Sequence, residues 1–592
     1  MAGGLLNIVS VGNANVILNG NPTKTFFKVV YSKYTNFGLQ KFRLDYEGSR
    51  DLRSSTSSKF TFKVKRYADL LMDTYLVVNL PDIWSPIYNP AQETNYQWAA
   101  YNFRWVKYLG IQMIDNIEIN CGSSLIQRYT GDYLAAMVER DFSTEKKELF
   151  YKMIGHDPEL NDPANAFGRQ NMYPNAFFTD SPAGSEPSIR GRTLYIPINA
   201  WFTLDSRCAF PLISLQYNEL TITVTLRPIQ ELFQVRDITD FYNNFPYIQP
   251  DFNNEIFRMY RFLQTPPDVR IDGNYQTIAN VYENQTPVWN ADVHLMATYC
   301  FLSNEESRQF AAEDQIYLVK DVFRYQFLNV SETTRVKLDN TMGMVSSWMW
   351  YLQRNDVNMR NEWSNYTNWP YDSLPSNVSI PSTTLALPMM YNGSLEDFNR
   401  IYSDRTSLYY DPNMVLESGP FQSPNLYPDN FPNNKYSTGF FISGPFNLDN
   451  QREIMLSMGI ILDGEYRENI QPSGIYSYME KYTRTSGCAR DGLYCYNYCL
   501  NSDAHEYQPS GAINLSKFKN IELEVTTFIP PVVTDPSNVP QNYVCNTTGD
   551  LLSVTVNNHW RLFNYQFNMV LFEERYNILS FISGNCGMMY AR

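Results

Sequence analysis

Four side chains in the last fifth of the chain have the chemistry of zinc ligands. Cys488, Cys495, Cys499 and His505 offer thiolate sulfur and imidazole nitrogen, the atoms that structural zinc sites use. Six, three and five residues separate them, a spacing that fits no standard zinc finger. We therefore favour free thiols at these positions and keep a metal centre as the alternative.

Catalytic motifs are scarce in the rest of the sequence. None of the four histidines belongs to an HExxH pattern, and the chain contains no P-loop, no GxSxG elbow and no GxGxxG loop. The carboxylate pairs Asp115/Glu118 and Glu573/Glu574 have the residue types of a glycosidase dyad, but nothing in the sequence places either pair in a cleft. We expect no catalytic residue, no cofactor and no enzymatic activity.

Three candidate glycosylation sites lie close together. Asn365, Asn377 and Asn392 each begin an Asn-x-Ser/Thr sequence within an irregular block rich in Pro, Asn and Ser, from Asn355 to Asn434. The chain does not open with a basic and apolar signal peptide, so we expect synthesis in the cytosol. Glycosylation by the secretory route is not expected there.

The stretch Asn19 to Phe37, NGNPTKTFFKVVYSKYTNF, mixes lysines with aromatic residues in the way a nucleic-acid groove does. The lysines are Lys24, Lys28 and Lys33. A net charge of −14 argues against a protein that grips a phosphate backbone. Phe27, Val29 and Tyr31 alternate with their neighbours, and we predict a first strand with one face buried. The lysines would face water, an inner protein or an anionic membrane surface.

The elements that position these residues are mostly strands. Period-two alternation occurs in FTFKVK from Phe60, in LTITVTL from Leu220 and in IELEV from Ile521, which indicates strands with one buried face. Two segments have helical signals: one begins at Asn304 after the capping residue Ser303, and the other runs in two pieces from 132 to 154. With 15% aromatic residues and many Asn, Thr and Pro, the class is mainly β.

One pattern occurs twice. ISLQYNELTITVTL begins at Ile213 and INLSKFKNIELEVTTF begins at Ile513, each with an apolar start, an aromatic residue, an Asn and an alternating strand. A chain of 592 residues is long enough for two large domains. The echo is therefore consistent with one supersecondary unit that closes each of two domains, although so short a match also occurs by coincidence.

The chain resembles the major capsid proteins of nucleocytoplasmic large DNA viruses. The resemblance is carried by NGNPTKTFFKVVYSKYTNF, LISLQYNELTITVTLRP, VHLMATYCFLSNEESRQFA, NEWSNYTNW, HEYQPSGAINLSKFKN and YNILSFISGNCGMMYAR, which lie from end to end. HEYQPSG holds extra residues relative to the family pattern, and the insert from about Asn368 to Tyr466 is long. These departures affect the outer loops and not the core.

The resemblance implies two consecutive eight-stranded jelly-roll β-sandwiches, a double jelly roll with long loop insertions and a few short helices. We expect an inward-facing arm over 1–26, a first jelly roll over 27–227 and a linker over 228–287. The second jelly roll would follow over 288–592, with an outer-loop insertion around 355–470. The loop from Pro81 to Tyr101 and the block from Asn355 to Asn434 would form an outward tower and an intersubunit clasp.

The resemblance also implies a structural protein of the virion. Such a protein trimerises into pseudo-hexameric capsomers that tile an icosahedral shell, and it is made and assembled in the host cytoplasm. Expected partners are neighbouring capsomers, penton and minor or cement proteins, and an inner membrane through minor proteins, without direct nucleic-acid contact. The alternative from the residues alone is a carbohydrate-binding or carbohydrate-active β-sandwich protein that stacks sugars on surface aromatic residues.

Overall fold

The computed structural model describes most of the chain. The described residues are 15–18, 20–48, 52–88, 99–169, 172–176, 179, 181–237, 246–267, 282–339, 343–372, 451–530, 542–545, 551–555 and 565–590. Among them, none of the helices has the length and apolar character needed to cross a lipid bilayer.

Sixteen strands form two sandwiches of eight. The first sandwich contains β1 Phe37–Leu44, β2 Ser58–Lys63, β3 Leu70–Asn79, β4 Ile114–Cys121, β5 Ser124–Thr130, β6 Thr193–Pro197, β7 Leu220–Leu226 and β8 His294–Leu302. The second sandwich contains β9 Gln315–Val330, β10 Thr333–Lys337, β11 Met344–Arg354, β12 Met455–Leu462, β13 Glu465–Pro472, β14 Leu493–Asn497, β15 Ile521–Thr527 and β16 Phe567–Ile582.

Both sandwiches have the same strand order. In the first, one sheet runs β1–β8–β3–β6 and the other runs β2–β7–β4–β5, with antiparallel pairing throughout. In the second, the sheets run β9–β16–β11–β14 and β10–β15–β12–β13. At each position in the sheets, the strand number in the second sandwich is eight higher than in the first, so that β9 corresponds to β1 and β16 to β8. This arrangement is a jelly roll made twice, so the predicted double jelly-roll fold is confirmed.

The remaining elements are short and lie in the connections. The additional strands are Ile87–Tyr88, Ala99–Ala100, Phe103–Trp105, Phe210–Pro211, Phe233–Arg236, Tyr247–Ile248, Ile513–Asn514, Asn542–Cys545, Leu551–Thr555 and Asn585–Met588. The α-helices are Asn15–Leu18, Leu109–Met113, Gly131–Asp141, Thr144–Met153, Pro158–Asn161, Trp201–Leu204, Asn304–Ala312 and Glu480–Arg484. Single-turn 3-10 helices and one π-helix, Ile475–Met479, complete the set.

The strands follow from residue alternation. In β2, Phe60 and Phe62 are buried while Lys59 and Lys63 face solvent, and β7 and β15 lie where the same pattern predicted them. The helix Asn304–Ala312 begins at its predicted cap, where the Ser303 hydroxyl accepts a hydrogen bond from the backbone N–H of Glu306. These predictions are confirmed.

The repeated pattern at 213 and 513 marks equivalent places. A 3-10 turn, Leu212–Ser214, precedes β7, and a 3-10 turn, Leu515–Lys517, precedes β15. The two strands hold the same position in the second sheet of their sandwiches. The echo therefore marks equivalent places in the repeated fold, but it does not close either domain as expected, because β8 follows β7 and β16 follows β15.

The observed sandwiches differ from the expected domain bounds. Residues 294–302, expected in the second jelly roll, form β8 and pair with β1 and β3 of the first. The expected linker 228–287 is part of the first unit, because Phe233 and Phe262 of this segment pack on Phe103 in the core. The expected insertion around 355–470 also ends earlier, since β12 and most of β13 lie within it.

The prediction of a first strand over FFKVVYSKY is wrong. Residues 22–36 have no regular secondary structure, and β1 begins only at Phe37. Phe27 is 98% exposed and Tyr31 is 86% exposed, so no face of this segment is buried within the chain. Alternation shows which side chains would share a face, but a face is buried only where the chain also supplies a second surface.

Candidate assembly surfaces and the junction between the sandwiches

One helix joins the two sandwiches. All eleven residues of Gly131–Asp141, which we call the junction helix, are buried, and the sequence pattern DYLAAMVERD places four charged residues among apolar ones. Its Tyr133 ring lies 5.6 Å from the ring of Phe572 on β16, in an edge-on contact. The apolar core of the first sandwich therefore continues into the second.

Arg140 on the junction helix forms a buried ion cluster. Its guanidinium bonds both oxygens of Asp141, at 2.8 and 2.7 Å, and both oxygens of Glu574 on β16, at 3.0 and 3.1 Å. It also donates to the Ser347 hydroxyl on β11 at 3.0 Å. The three charged side chains are at most 1% exposed. Buried ions need such satisfied geometry, because an unpaired charge in the interior is very costly.

The surroundings of Glu574 favour its ionised form. Burial alone would raise its pKa, but the Arg140 and Lys320 charges and hydrogen bonds from Ser347, at 2.7 Å, and Tyr133, at 2.8 Å, bring the pKa down to about 2. Burial raises the pKa of Asp141 and the nearby Glu574 charge adds to this rise, although the Arg140 guanidinium acts in the opposite direction. Glu574 therefore contributes as a carboxylate over the whole neutral range.

A second ion pair crosses the same junction. Asp132, on the first turn of the junction helix, accepts a hydrogen bond from the Tyr351 hydroxyl of β11 at 2.8 Å and from Arg324 of β9 at 3.3 Å. Burial opposes ionisation of Asp132, but the Arg324 charge and these hydrogen bonds lower its pKa. Sequence patterns alone did not predict this network. The feature of the sequence that corresponds to it is the short helical segment DYLAAMVERD, in which charged residues occur without forming a separate polar face.

The carboxylate pairs proposed as dyads have other roles. Glu573 and Glu574 are neighbours on one strand, so their side chains point to opposite faces of the sheet. Glu573 accepts from the indole of Trp348 at 2.8 Å and from Arg575 at 2.5 Å. On β4, Glu118 lies 3.4 Å from Arg128 in a surface ion pair. Glu573 and Glu574 are buried and Glu118 is engaged by an arginine, so neither arrangement resembles the two facing carboxylates of a glycosidase.

The zinc-type residues are not gathered at one point. Cys495 and Cys499 are buried, Cys488 is exposed, and His505 bonds the Asp503 carboxylate at 3.1 Å. Over the residues that the structure describes, there is no group of three His, Cys, Asp or Glu side chains close enough to hold a metal ion. Burial raises the pKa of Cys495 to about 12, so its thiol stays protonated at neutral pH.

A polar cavity of about 360 Å³ lies beside β14 in the second sandwich. Its lining includes Glu468, Glu480, Tyr496 and Asn497. Glu468 accepts from the Tyr496 hydroxyl at 2.7 Å, and Glu480 accepts from the backbone of Asn497 at 3.2 Å. Both carboxylates therefore bind groups of the protein itself.

The candidate glycosylation sites are only partly described. Asn365 is 3% exposed, its amide nitrogen donates to the Trp369 carbonyl at 2.8 Å, and its oxygen accepts from Thr367. A glycan on this nitrogen would displace the bond and does not fit the folded chain. Asn377 and Asn392 lie outside the described residues.

The two candidate tower segments occupy equivalent places in the two sandwiches. The loop from Pro81 to Tyr101 lies between β3 and β4, and the block from Asn355 to Asn434 lies between β11 and β12. Residues just after the first loop contact the described start of the longer block: Arg104 lies 3.3 Å from Glu362, and Lys107 lies 3.1 Å from Asp372. The middle of both segments lies outside the described residues.

The base of the longer segment is a fixed structure. Asp356 lies between Arg354, at 2.7 Å, and Arg360, at 2.9 Å, and all three are at most 2% exposed. Burial opposes the charge of Asp356, but the two guanidinium groups bring its pKa to about 2. The Arg354 guanidinium also lies 3.6 Å from the centre of the Tyr565 ring.

The amino-terminal segment exposes many apolar side chains. From here on, the name arm is used for the described residues 20–36, which overlap the end of the arm expected over 1–26. Its large exposed apolar side chains are Phe26, Phe27, Val29, Val30, Tyr31 and Tyr34, each more than 70% exposed. The arm leads into β1, an edge strand on which Phe37 and Leu39 are more than half exposed. Large apolar side chains that are exposed this close together in the chain are typical of an interaction site.

The equivalent edge of the second sandwich has the same character. β9 is the edge strand of its sheet, and Ile316 and Leu328 are 62% and 64% exposed. An edge strand leaves one row of backbone N–H and C=O groups without a strand partner, and folded proteins usually cover or protect such rows. Both sandwiches therefore expose an apolar edge at their first strand.

Two family models match the chain in succession. Residues 25–282 match the major capsid protein N-terminus, and residues 306–587 match the large eukaryotic DNA virus major capsid protein. Between them, the models leave unmatched the 23 residues from 283 to 305, which include β8.

Curated relatives and solved structures agree with these models. The chain is 24% identical over 560 residues to the major capsid protein of Phaeocystis pouchetii virus, covering 89% of this chain and 93% of the relative. It is 22% identical over 594 residues to that of Paramecium bursaria Chlorella virus 1, covering all of both chains. The Faustovirus major capsid protein has a similar fold, with a TM-score of 0.54 at 12% identity over 98% of each chain. The chain belongs to the family of major capsid proteins of large eukaryotic DNA viruses.

Proposed function

We propose that three copies of this virion protein associate into a capsomer with a pseudo-hexagonal outline, and that these capsomers tile an icosahedral shell around a large DNA virus. Each chain carries two sandwiches of one strand order. Three chains around a threefold axis would thus supply six similar blocks, and closed rotational symmetry is the usual way in which identical chains associate.

The observation that carries the proposal is the exposed arm. Six large apolar side chains on a short segment that the described part of its own chain leaves uncovered would be costly in water. Because a capsid is built from many copies of its major capsid protein, a neighbouring copy is the expected partner of the arm. We therefore propose that the arm packs against the next chain of the trimer, and that the apolar edges at β1 and β9 are also covered within the capsomer.

The orientation of the capsomer follows from the loops. We propose that the segments between β3 and β4 and between β11 and β12 form an outward tower, because their bases are tied by the Arg104–Glu362 and Lys107–Asp372 ion pairs. The arm would lie toward the interior. There its exposed lysines would face inner proteins or, through minor proteins, a membrane. As domain bounds we propose 37–302 for the first jelly roll and 315–582 for the second.

The partners outside the trimer are also proposals. We infer contacts with neighbouring capsomers and with penton and minor or cement proteins, in a particle whose capsid protein is made in the host cytoplasm. Contacts within the trimer should bury upward of about 2,000 Å², and those between capsomers should be smaller and more polar. Weaker contacts between capsomers would allow misplaced blocks to leave the lattice.

The experiment is a native mass measurement together with electron micrographs of the purified full chain. We expect a particle of three times 68.9 kDa with a hexagonal outline. Phe27→Ser with Tyr31→Ser should shift the population toward monomers, whereas the matched change Lys24→Ser with Lys28→Ser should leave trimers intact. A wild-type chain that stays monomeric at micromolar concentration would contradict the proposal, and so would equal effects of the two double variants.

The carbohydrate alternative has less support. The carboxylate pairs are buried or paired, and the cavity beside β14 uses its carboxylates for internal hydrogen bonds. A glycan array and a glycosidase assay on the same preparation test it directly. Saturable sugar binding, or hydrolysis lost on Glu480→Gln, would favour the alternative.

A further inference from the structure

Two cysteines from distant parts of the sequence meet at the junction. Cys121 is the last residue of β4 in the first sandwich, and Cys586 lies in the strand Asn585–Met588, which pairs with β16 of the second. Both side chains are buried, at 1% and 6% exposure, in one apolar cluster. The two thiols lie close enough for each to shift the pKa of the other, and both are free cysteines in this structure.

The backbone around the pair is held in place independently of the sulfur atoms. The carbonyl of Gly584 accepts hydrogen bonds from the backbone N–H groups of Gln216, at 3.0 Å, and Tyr217, at 3.3 Å. The side chain of Asn218 donates to that of Asn585 at 3.4 Å. Two residues later in the chain, Leu220 pairs with Cys121 in the sheet. The segment before β7 therefore contacts both cysteine-bearing strands and fixes their separation.

We propose that Cys121 and Cys586 are a redox modification site, and that they form a disulfide linking the two sandwiches when the protein passes from a reducing to an oxidising environment. This inference rests on the fold and does not depend on trimer formation. Cytosolic thiols stay reduced and extracellular ones are readily oxidised, so a particle that leaves its host cell would meet the required change.

The reaction is a thiol–disulfide exchange with a low-molecular-weight disulfide such as oxidised glutathione. One cysteine thiolate attacks the reagent, forms a mixed disulfide and releases one glutathione thiolate. The second cysteine then attacks the protein sulfur of that mixed disulfide and expels the other glutathione. Two cysteine thiols are oxidised, one glutathione disulfide is reduced to two thiols, and the two cysteine protons pass to the departing thiolates.

The pair differs in how easily each member ionises. The contact with Cys586 lowers the pKa of Cys121, and the same contact raises the pKa of Cys586. Cys121 is therefore the first nucleophile. Because it is buried, attack needs local opening of the hairpin between β16 and Asn585–Met588, whose turn residue Ser583 is exposed. We expect slow formation over minutes to hours.

The test uses the reduced full-length chain, incubated with a glutathione redox buffer and then blocked with N-ethylmaleimide. Intact mass should fall by two hydrogen atoms before blocking, and peptide mapping should recover one cross-linked peptide pair holding Cys121 and Cys586. The melting temperature should rise by roughly 3 °C or more, since the bond closes a long loop, and should return on addition of reductant.

Three variants separate the proposal from general oxidation. Cys121→Ala and Cys586→Ala should each abolish the cross-linked peptide and the temperature shift, whereas the matched Cys300→Ala, also buried in the first sandwich, should keep both. If either junction variant fails to fold, peptide mapping of the wild-type chain alone decides. Recovery of only glutathione-capped cysteines, or of a different pairing, overturns the proposal, as does a junction disulfide that leaves the melting temperature unchanged.

Discussion

Arg140→Met is the most informative change at the junction. It keeps the apolar stem of the side chain but removes the guanidinium that bonds Asp141 and Glu574, and so leaves two buried carboxylates without the cation that bonds them directly. The pKa of Glu574 lies at about 2 against an ordinary value of 4.5. At about 1.36 kcal/mol per pH unit, this gap corresponds to about 3 kcal/mol. Removal of one partner of a buried ion pair usually lowers the free energy of unfolding by about 3–5 kcal/mol, which agrees with this value.

The assay is thermal unfolding, measured by calorimetry at several pH values between 2 and 8. At pH 7 we expect Arg140→Met to melt roughly 2–4 °C below the wild type, because the unfolding entropy of a 592-residue chain is about 1.2 kcal/mol/K. In the wild type, the lowered pKa means that the contribution of Glu574 is complete above about pH 4.5 and is lost as the pH falls toward about 2. The variant should therefore lose less stability than the wild type across that acidic window.

The matched control is Arg452→Met, at a surface pair 3.0 Å from Asp491 whose side chains are 44% and 51% exposed. It should cost less than about 1 kcal/mol. A triple variant, R140M/D141N/E574Q, should recover more than half of the loss, because no unpaired charge remains buried. Two results would contradict a stabilising role of the Arg140 cluster: an Arg140→Met variant that loses no more stability than Arg452→Met, or a triple variant that is less stable than Arg140→Met.

Three further predictions concern other places in the fold. The ring of His156 stacks on that of Tyr108 at 4.0 Å, and burial lowers the pKa of His156 to about 4. The free energy of unfolding should therefore fall by up to about 3 kcal/mol as the pH falls from 6.5 toward 4. His156→Phe should flatten that part of the stability–pH curve, and an unchanged slope would contradict this role of His156. Gly131→Ala should cost about 3 kcal/mol or more, because a Cβ would lie 2.3 Å from a backbone carbonyl oxygen, whereas Gly38→Ala, with open space around it, should be close to neutral in denaturant titration. Peptide mass spectrometry of the native chain should find Asn365 without a glycan, and a glycopeptide at that position would show that the segment opens.

The sequence predicted the strands whose two faces differ. β2, β7 and β15 alternate because each has one face in a core, and the cap at Ser303 is a local signal that needs no tertiary partner. The arm shows the limit of the same rule. Its alternation is as clear as that of β2, yet Phe27 is exposed, because none of the described residues of its own chain supplies a surface that buries it.

The junction could not be predicted for a different physical reason. Charged residues such as Arg140 and Glu574 are expected at the surface, and their burial depends on a pairing between residues far apart in the chain. The boundary at residue 288 failed in a similar way. A jelly roll completes its first sheet with its last strand, so β8 returns to β1 after a long excursion that resembles a linker in the sequence.

The shared strand order has a consequence for how the particle surface can vary. A long insert is present between β11 and β12, while the equivalent connection in the first sandwich, between β3 and β4, is much shorter. A proposed three-chain block would then carry three large decorations and not six, although it has six similar bodies. In the proposed capsomer, one half of the chain would keep the lattice contacts unchanged while the other accepted new outward sequence, so that the outside of the particle would diversify without redesign of its tiling.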